Sequence, residues 1–280
     1  MEKLDPRLNA FRPDLADKRL IGQLEAARFT SAMPAQINVS VASLHKQPRP
    51  DATQLTQALY GEICQVFERA NGWAWIQLLE DQYVGYVPES ALSEFVVGLD
   101  TWFRVGEVST WLFAEANLKA QPAQVLYLNS HVCVTETKDS YSCLTPKGAV
   151  YSAHLKGEGQ YHQDFVAVAE RFLNVPYYWG GKTHAGLDCS GLAQISLQAS
   201  GIRAPRDSDL QEKNLGAIVK DHSKLKRGDL IFWPGHMGIM QSATQLIHAN
   251  GHHMKVTSDL LQDVIARSDR PISSIKRLGA

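Results

Sequence analysis

Between residues 36 and 157 the chain alternates apolar and polar positions in short runs, a pattern typical of β-strands with one buried face. The clearest pair of runs is TQALYGEICQVFE and WAWIQLL, which flank Asn71-Gly72. An Asn-Gly pair between two such runs is a strong signal for a two-residue hairpin turn. The first half of this region therefore predicts a small β-barrel.

A second stretch repeats the arrangement with weaker similarity: STWLFAEANLKAQPAQVLYLNSHVCVTETKDSYSCLTPKGAVYSAHL. In both copies an opening strand leads to a polar loop, then to a strand pair with a tight turn. Each copy closes with a Gly-x-Val strand, Gly85-Tyr86-Val87 and Gly148-Ala149-Val150. Two copies of one small β unit predict duplicated barrels rather than a solenoid.

Helical periodicity occurs at both ends of the chain. In the charged lead-in, residues 1–30, the positions of Leu20, Ile21 and Leu24 predict a short amphipathic helix that packs on a neighbouring domain. Further on, five apolar positions fit one helical stripe that ends before Pro176. These positions are Phe165, Val168, Ala169, Phe172 and Leu173.

A cysteine begins the most distinctive helix. Cys189 follows Asp188, and Leu192, Ile195 and Ala199 then lie on one helical face, with Gly201 as a C-terminal stop. A thiol at a helix N-terminus meets unpaired backbone N–H groups and the positive end of the dipole, so we expect thiolate to be favoured. Such a cysteine is a candidate nucleophile if a histidine reaches it.

Two histidines follow in apolar runs. His236 begins the second of two strand-like runs in LIFWPGHMGIM, and His248 lies in QLIHAN after a polar turn. Adjacent antiparallel strands can present both rings at one edge, which gives a nucleophile, a base and an orienting group in that order. Spacing alone leaves the alternative open, because isolated cysteines and histidines are often structural core residues.

Composition restricts the partners. A net charge of −1 over 280 residues argues against nucleic acid and anionic membranes. The N-terminal residues contain no apolar signal-peptide core, and no apolar run is long enough to span a membrane, so we expect a cytoplasmic protein. His252 and His253 could join His248 in a zinc site, but acidic partners are not evident; we expect no metal and no cofactor.

Several motifs in the last hundred or so residues occur together in a recognisable order. They are Tyr177, Gly180-Gly181, Asp188-Cys189-Ser190-Gly191, Pro205-Arg206-Asp207, Gly228-Asp229-Leu230, His236-Met237-Gly238-Ile239 and Ile247-His248. In these motifs the chain resembles the NlpC-type family of bacterial cell-wall peptidases, which are papain-like cysteine peptidases. The preceding repeat resembles the bacterial SH3-like modules that accompany this domain.

The resemblance implies an α+β fold: a papain-like cysteine peptidase domain with helices packed on an antiparallel sheet, preceded by two small SH3-like β-barrels. The implied domains are the lead-in with its short helix, the first barrel, the second barrel and the catalytic domain. Their bounds are 1–30, 31–97, 98–157 and 158–280.

The resemblance also implies roles. Cys189 is the nucleophile, His236 the base, and His248 the residue that orients His236. Tyr177 contributes to the oxyanion site with the Cys189 backbone N–H, a task for which a phenolic hydroxyl is chemically suited. For Tyr177 the structural alternative is a core aromatic with an exposed hydroxyl.

In its domain layout the chain resembles γ-D-glutamyl-L-diamino acid endopeptidases of murein recycling. The implied partner is a murein tripeptide or tetrapeptide with a free N-terminal L-alanine. A bound ammonium needs carboxylates near it. The implied substrate-binding residues are Asp188, Ser190, Asp207, Trp179, Tyr83 and Asp51, with Glu62 as a rival to Asp51. Alternatives remain: Asp51 as a turn residue, Asp207 as a helix cap and Trp179 as a core residue.

Two other functions remain open at this point: an exported hydrolase of intact peptidoglycan that uses the SH3-like modules as wall anchors, and a binding protein whose catalytic site has decayed. The sequence leaves open whether the diamino acid is meso-diaminopimelate or lysine. It also leaves open the accepted stem length and the oligomeric state.

Overall fold

The computed structural model describes residues 4–95 and 101–279. The chain divides into two compact units, residues 1–158 and 159–280. The expected boundary between the two β modules, at residues 97 and 98, lies outside the described residues. Among the described residues, no helix is both long and apolar enough to cross a membrane.

The lead-in does not form the predicted amphipathic helix. It contains two short paired strands, β1 (Ala16–Asp17) and β2 (Phe29–Thr30), and a 3-10 turn over Lys18–Leu20. Gly22 takes a left-handed φ of 81° directly after Ile21, which ends any helix there and leaves Ile21 58% exposed. Ala10 and Leu15 fill the predicted packing role instead, in a cluster with Phe67, Trp75 and Val84 of the following module.

The first β module is a seven-stranded sheet with the order β5-β4-β8-β7-β6-β3-β9. Its strands are β3 (Met33–Ile37), β4 (Val41–His45), β5 (Gln54–Leu59), β6 (Ile63–Ala70), β7 (Trp73–Leu78), β8 (Val84–Pro88) and β9 (Leu92–Glu94), with a 3-10 turn over Glu89–Ala91. The Asn71-Gly72 hairpin is confirmed: the two residues join β6 to β7 with φ of 52° and 77°. Both values lie in the left-handed region that a type I′ turn requires.

The second β module is also a seven-stranded sheet, with the order β12-β11-β15-β14-β13-β10-β16. Its strands are β10 (Trp102–Val105), β11 (Ser109–Phe113), β12 (Pro122–Tyr127), β13 (His131–Lys138), β14 (Tyr141–Thr145), β15 (Ala149–Tyr151) and β16 (Leu155–Lys156), with a 3-10 turn over Ser152–His154. Each strand occupies the place of its counterpart in the first sheet, in agreement with the internal repeat of the sequence. The identity of the second module as an SH3-like barrel stays a prediction.

The two β modules meet at the turn between β5 and β6. The Tyr60 carbonyl accepts a hydrogen bond from the His131 backbone N–H at 2.8 Å, and the Tyr60 ring packs against the core of the second module. Gly61 has a φ of 79°, and a Cβ placed there would lie 1.9 Å from the His131 carbonyl oxygen. This close approach therefore requires glycine.

The second unit combines short helices with a six-stranded sheet of order β19-β24-β20-β21-β22-β23, in which every pairing is antiparallel. The helices are α1 (Phe165–Glu170), α2 (Cys189–Ala199), α3 (Ser208–Asn214) and α4 (Leu261–Arg267), with a 3-10 turn over His222–Lys224. The strands are β17 (Lys182–Thr183), β18 (Gly186–Leu187), β19 (Ala217–Ile218), β20 (Leu230–Trp233), β21 (His236–Met240), β22 (Gln245–Asn250), β23 (Lys255–Leu260) and β24 (Ser274–Arg277).

Of the two helices predicted in this unit, α1 is shorter than predicted and α2 agrees with the prediction. The predicted stripe reached Leu173, but α1 ends at Glu170, and Asn174 turns the chain with a φ of 69°. Helix α2 spans Cys189–Ala199 and ends before Gly201, whose φ is 78°, as predicted. All of its residues are buried, because it packs on β21 and β22 as the central helix of the unit.

Candidate active site

The N-terminus of α2 is built around Asp188. Its Oδ1 accepts the backbone N–H of Gly191 at 2.7 Å, which caps the helix, and its Oδ2 accepts the N–H of Gly180 at 2.8 Å. The cap fixes the direction of the first turn, so that Cys189 enters the helix with a defined orientation. The sulfur of Cys189 then receives the backbone N–H of Met237, at the start of β21.

Arg206 completes the surroundings of Asp188. Its guanidinium donates to both carboxylate oxygens, at 2.9 and 2.7 Å, and to the hydroxyl of Ser190 at 2.9 Å. A 3.3 Å bond to the Gly181 carbonyl ties in the preceding loop. The Arg206 side chain is 1% exposed, so this ion pair is buried directly beneath the cysteine. Sequence analysis placed Arg206 only as part of a motif in a polar loop.

The two histidines lie on neighbouring strands, as predicted. Strands β21 and β22 pair Ile239 with Ile247, which places His236 and His248 as diagonal neighbours on one face of the sheet. Nε2 of His236 and Nδ1 of His248 are 2.9 Å apart. The two rings are therefore adjacent, as expected, but they lie on one face of the sheet, on the interior strands β21 and β22, rather than at an edge.

The same diagonal continues onto β23. The pairing of His248 with Thr257 brings Asp259 to the same face, and Asp259 Oδ2 lies 3.2 Å from Nε2 of His248. Arg267, at the end of α4, donates to the same carboxylate, and Nε2 of His253 lies 3.3 Å from it. Sequence analysis missed both Asp259 and Arg267. Asp259 can be found only from the register of β22 with β23, and a single sequence does not give that register.

Burial keeps both imidazoles neutral. It lowers the pKa of His236 to about 3 and that of His248 to about 4. The positive charge of Arg267 lowers both values further, whereas the carboxylate of Asp259 raises that of His248. At neutral pH His236 is thus an unprotonated base held against a second neutral ring.

Burial also determines the pKa of the Cys189 thiol. The pKa is raised, whereas the position at a helix N-terminus predicts that it is lowered. Burial and the charge of Asp188 raise the pKa of the thiol to about 12. The N–H groups of Met237 and Ser190 and the charge of Arg206 act in the opposite sense, but they do not outweigh desolvation. A thiol with a raised pKa calls for a base that takes its proton as the sulfur attacks.

Tyr177 lies beside the start of the cysteine helix. It forms an isolated bridge with Leu187, and its backbone N–H donates to the Met254 carbonyl at 2.9 Å. Burial raises the pKa of the Tyr177 hydroxyl, and the neighbouring Cys189 and Asp188 raise it further. The hydroxyl is consequently a proton donor throughout the physiological range, as an oxyanion site requires.

The remaining predicted residues of this unit differ in their surroundings. Asp188 and Ser190 are buried, and the bonds to Arg206 occupy them within the chain. Asp207 is half-buried at the N-cap of α3 and makes no side-chain capping bond, which removes the capping alternative. Trp179 is 62% exposed, so the alternative of core packing does not apply to it. Substrate contact by these residues stays a prediction.

In the first unit, the surroundings of the predicted substrate-binding residues indicate a binding role less clearly than in the second unit. Asp51 is exposed in the turn between β4 and β5 and pairs with Arg49 at 2.6 Å, as the turn alternative predicts. Tyr83 is 3% exposed within the core of the first module, and Glu62 is also buried. A role for Asp51 or Tyr83 in substrate recognition stays a prediction.

The geometry supports nucleophilic catalysis. A cysteine at the first position of a buried helix receives an N–H from the strand that His236 begins, and His236 is followed by a second imidazole and a carboxylate. Nucleophile, base and orienting group are the parts that acyl transfer needs.

Comparison with known proteins agrees with this geometry. Residues 174–268 match the NlpC/P60 family, and residues 44–92 match the bacterial dipeptidyl-peptidase Sh3 domain. Dipeptidyl-peptidase 6 of Lysinibacillus sphaericus is 26% identical over 263 residues, which cover 85% of this chain and 96% of that protein. Gamma-D-glutamyl-L-lysine dipeptidyl-peptidase of Bacillus cereus is 30% identical over 206 residues, 65% of this chain and 61% of that protein.

A solved structure shows the fold. The crystal structure of an NlpC/P60 family protein from Bacillus cereus matches with a TM-score of 0.73 and 21% identity, over 87% of this chain and 99% of that chain. The chain therefore carries the papain-like NlpC/P60 domain of a cysteine peptidase family, together with a bacterial dipeptidyl-peptidase SH3 domain.

Proposed function

We propose that the protein is a cysteine endopeptidase that hydrolyses the bond between γ-D-glutamate and an L-diamino acid in short murein peptides with a free N-terminal L-alanine. We further propose that it acts in the cytoplasm, in cell-wall recycling. The names of the two relatives support the substrate class, since both are dipeptidyl-peptidases and one is named for the γ-D-glutamyl-L-lysine bond.

The observation that carries the proposal is the packing of α2, which begins with Cys189, on β21, which begins with His236, where the backbone N–H of Met237 lowers the pKa of the Cys189 thiol. This packing links the helix that bears the nucleophile to the strand that begins with His236. Since Nε2 of His236 is engaged with His248, Nδ1 is the ring nitrogen that remains for the thiol.

In the first step, the Cys189 sulfur attacks the carbonyl carbon of the γ-glutamyl bond while the thiol proton moves to His236. His236 then gives this proton to the departing amine of the diamino acid, and an acyl-enzyme remains. In the second step His236 removes a proton from water, whose oxygen attacks the thioester carbonyl. Return of the proton to the sulfur releases the dipeptide and restores the free thiol.

The negative charge on the tetrahedral oxygen is stabilised by two donors in this proposal. One is the hydroxyl of Tyr177, whose raised pKa keeps its proton in place. The other is the backbone N–H of Cys189, at the first position of α2, where helical N–H groups have no partner within the helix. Donors fixed in advance are the most effective form of oxyanion stabilisation.

Recognition of the free amine calls for a carboxylate near the cleft. Asp207 is our candidate, because it is half-buried and follows Arg206, which binds beneath the nucleophile. Trp179 supplies an exposed aromatic face ten residues before Cys189. In this proposal Asp188 and Ser190 act mainly by holding the helix N-terminus.

The decisive experiment incubates the protein with L-Ala-γ-D-Glu-L-Lys, with its meso-diaminopimelate analogue and with the N-acetylated form of each, and identifies products by mass spectrometry. We expect L-Ala-D-Glu from the free peptides and none from the acetylated ones. Cys189→Ala should abolish cleavage, while Cys143→Ala, at a half-buried cysteine of the second β module, serves as the matched control. Full hydrolysis by Cys189→Ala would overturn the mechanism.

Two further arms address the biological setting. Intact sacculi offered in place of free peptides should yield no soluble products; efficient digestion would favour an exported wall hydrolase. Cell fractionation with an antibody against the protein should place it with cytoplasmic markers, and recovery from the wall or medium would contradict the recycling role.

A further inference from the structure

We infer that Asp259 is a positioning residue of the catalytic centre, which sets the tautomers of His248 and His236 while Arg267 balances its charge. This inference rests on the proposed function of Cys189 and His236 and extends it to residues beyond the predicted nucleophile, base and orienting group. Three observations carry it: the diagonal placement of the three side chains, the chain of hydrogen bonds among them, and the chemistry of a carboxylate as acceptor.

An ionised carboxylate only accepts hydrogen bonds, so the contact of 3.2 Å between Asp259 Oδ2 and Nε2 of His248 places the proton on Nε2. A neutral His248 then carries its lone pair on Nδ1. This nitrogen lies 2.9 Å from Nε2 of His236, which must therefore carry a proton and donate it. The lone pair of His236 is thereby left on Nδ1, where a base for Cys189 needs it.

Arg267 explains how Asp259 orients His248 without protonating it. A carboxylate beside a histidine raises the pKa of the ring, and Asp259 has this effect on His248. Arg267 donates to the same carboxylate and lowers the pKa of both His248 and His236. If His248 held a second proton, it would offer no acceptor to His236, and the order of donors would be lost.

The charged and titratable groups around this centre come from four places in the unit. His248 on β22 faces His236 from β21, Asp259 from β23, Arg267 from α4 and His253 from the turn after β22. His253 also lies 3.3 Å from the Asp259 carboxylate, so a variant of His253 is needed to separate its contribution.

The test compares Asp259→Asn and Asp259→Ala with Asp263→Asn, which removes an exposed carboxylate of α4. We expect kcat for the free tripeptide to fall by about 10- to 100-fold in both Asp259 variants, with KM changed less than threefold. Asp263→Asn should keep kcat within about twofold of the parent, and His253→Gln should lower kcat less than either Asp259 variant does.

A purely structural role of Asp259 would leave the tautomers of His236 and His248 unchanged, so their tautomeric state is the second readout. It is observed by nitrogen-15 NMR of histidine-labelled protein at pH 7. In the parent, His236 and His248 should both show a protonated Nε2 and an unprotonated Nδ1. In Asp259→Ala at least one of the two rings should lose this pattern, while thermal unfolding of the variant verifies that the unit is folded.

The outcomes separate the inference from the proposed function. Unchanged tautomers and full kcat in Asp259→Ala would overturn the role of Asp259. If the parent cleaves none of the peptides, the proposed function fails, but the tautomer pattern still decides the positioning role. If Asp259→Ala does not fold, Asp259→Leu, which keeps a similar side-chain size but offers no acceptor, supplies both measurements.

Discussion

Arg206 binds both carboxylate oxygens of Asp188, at 2.9 and 2.7 Å, from a side chain that is 1% exposed. The same carboxylate caps the helix that begins with Cys189. The position of the nucleophile is thus fixed by a buried ion pair between residues 188 and 206 rather than by apolar packing alone. Such pairs are costly to break from one side, since the remaining charge stays buried without a counter-charge.

Replacement of this arginine should therefore destabilise the second unit. We expect Arg206→Met to lower its free energy of unfolding by about 3 to 5 kcal/mol, because the Asp188 carboxylate loses its bidentate partner. Arg203→Met, at an exposed position three residues earlier, should change it by less than about 0.5 kcal/mol. Urea unfolding followed by hydrogen exchange in α2 measures the difference, and equal stability of the two variants would contradict the role of the ion pair.

Loss of the second imidazole should impair catalysis without preventing it. His248→Gln keeps a polar side chain beside His236 but lacks the ring that links it to Asp259, so we expect kcat to fall by about 10- to 100-fold. His252→Gln, in the exposed turn after β22, is the matched control. Steady-state kinetics on the free tripeptide compares the two, and equal rates would remove His248 from the site.

The hydroxyl of Tyr177 should matter for the transition state rather than for binding. Tyr177→Phe removes one oxyanion donor, and the expected loss in kcat is about 10²- to 10³-fold with little change in KM. Tyr178→Phe alters the adjacent, half-exposed ring as a control. A Tyr177→Phe enzyme with parental kcat would assign the ring to packing alone.

Acid should destabilise the second unit at pH values well above those at which carboxylates titrate. The folded pKa values of His236 and His248, about 3 and about 4, lie below the unfolded value of 6.5, so the unfolded chain binds more protons as pH falls. Stability from these rings is complete above about pH 6.5 and is lost as pH falls from 6.5 towards the folded pKa values of about 4 for His248 and about 3 for His236. From pH 7 to 5 we expect a loss of about 3 to 4 kcal/mol.

The His236→Gln variant tests the assignment of this acid sensitivity. It should lose about half as much stability between pH 7 and 5, because one of the two buried rings is absent. Urea unfolding at the two pH values, monitored by protection of β21 and β22 from hydrogen exchange, gives both numbers. An identical pH dependence in parent and variant would show that other groups cause the effect.

Local signals predicted much of the second unit. The helix from Cys189 and the stop at Gly201 depend on neighbouring residues, and each lies where the sequence predicts it. His236 and His248 were also found, because each lies in its own apolar run. Asp259 was not found, since its proximity to His248 depends on the register of β22 with β23.

Two other differences have the same physical origin. Arg206 belongs to a polar loop, and its burial becomes evident only when the loop folds beneath the helix of the nucleophile. In the lead-in, helical periodicity was present, but Gly22 interrupts it and the packing falls to Ala10 and Leu15. Tertiary contacts bury Arg206 and the apolar residues of the lead-in, although in the lead-in the turn at Gly22 is itself a local signal that ends the helix.

The place of β24 in the sheet has a consequence for the synthesis of the protein. Ser274–Arg277 lies between β19 and β20, and Ile275 pairs with Ile231 in the interior of the sheet. A ribosome completes the nucleophile, both histidines and Asp259 before it reaches this strand, and domains generally fold as whole units. A nascent chain thus holds every reactive group while the sheet that aligns them is still incomplete, and we expect hydrolytic activity only after residue 277 has been added.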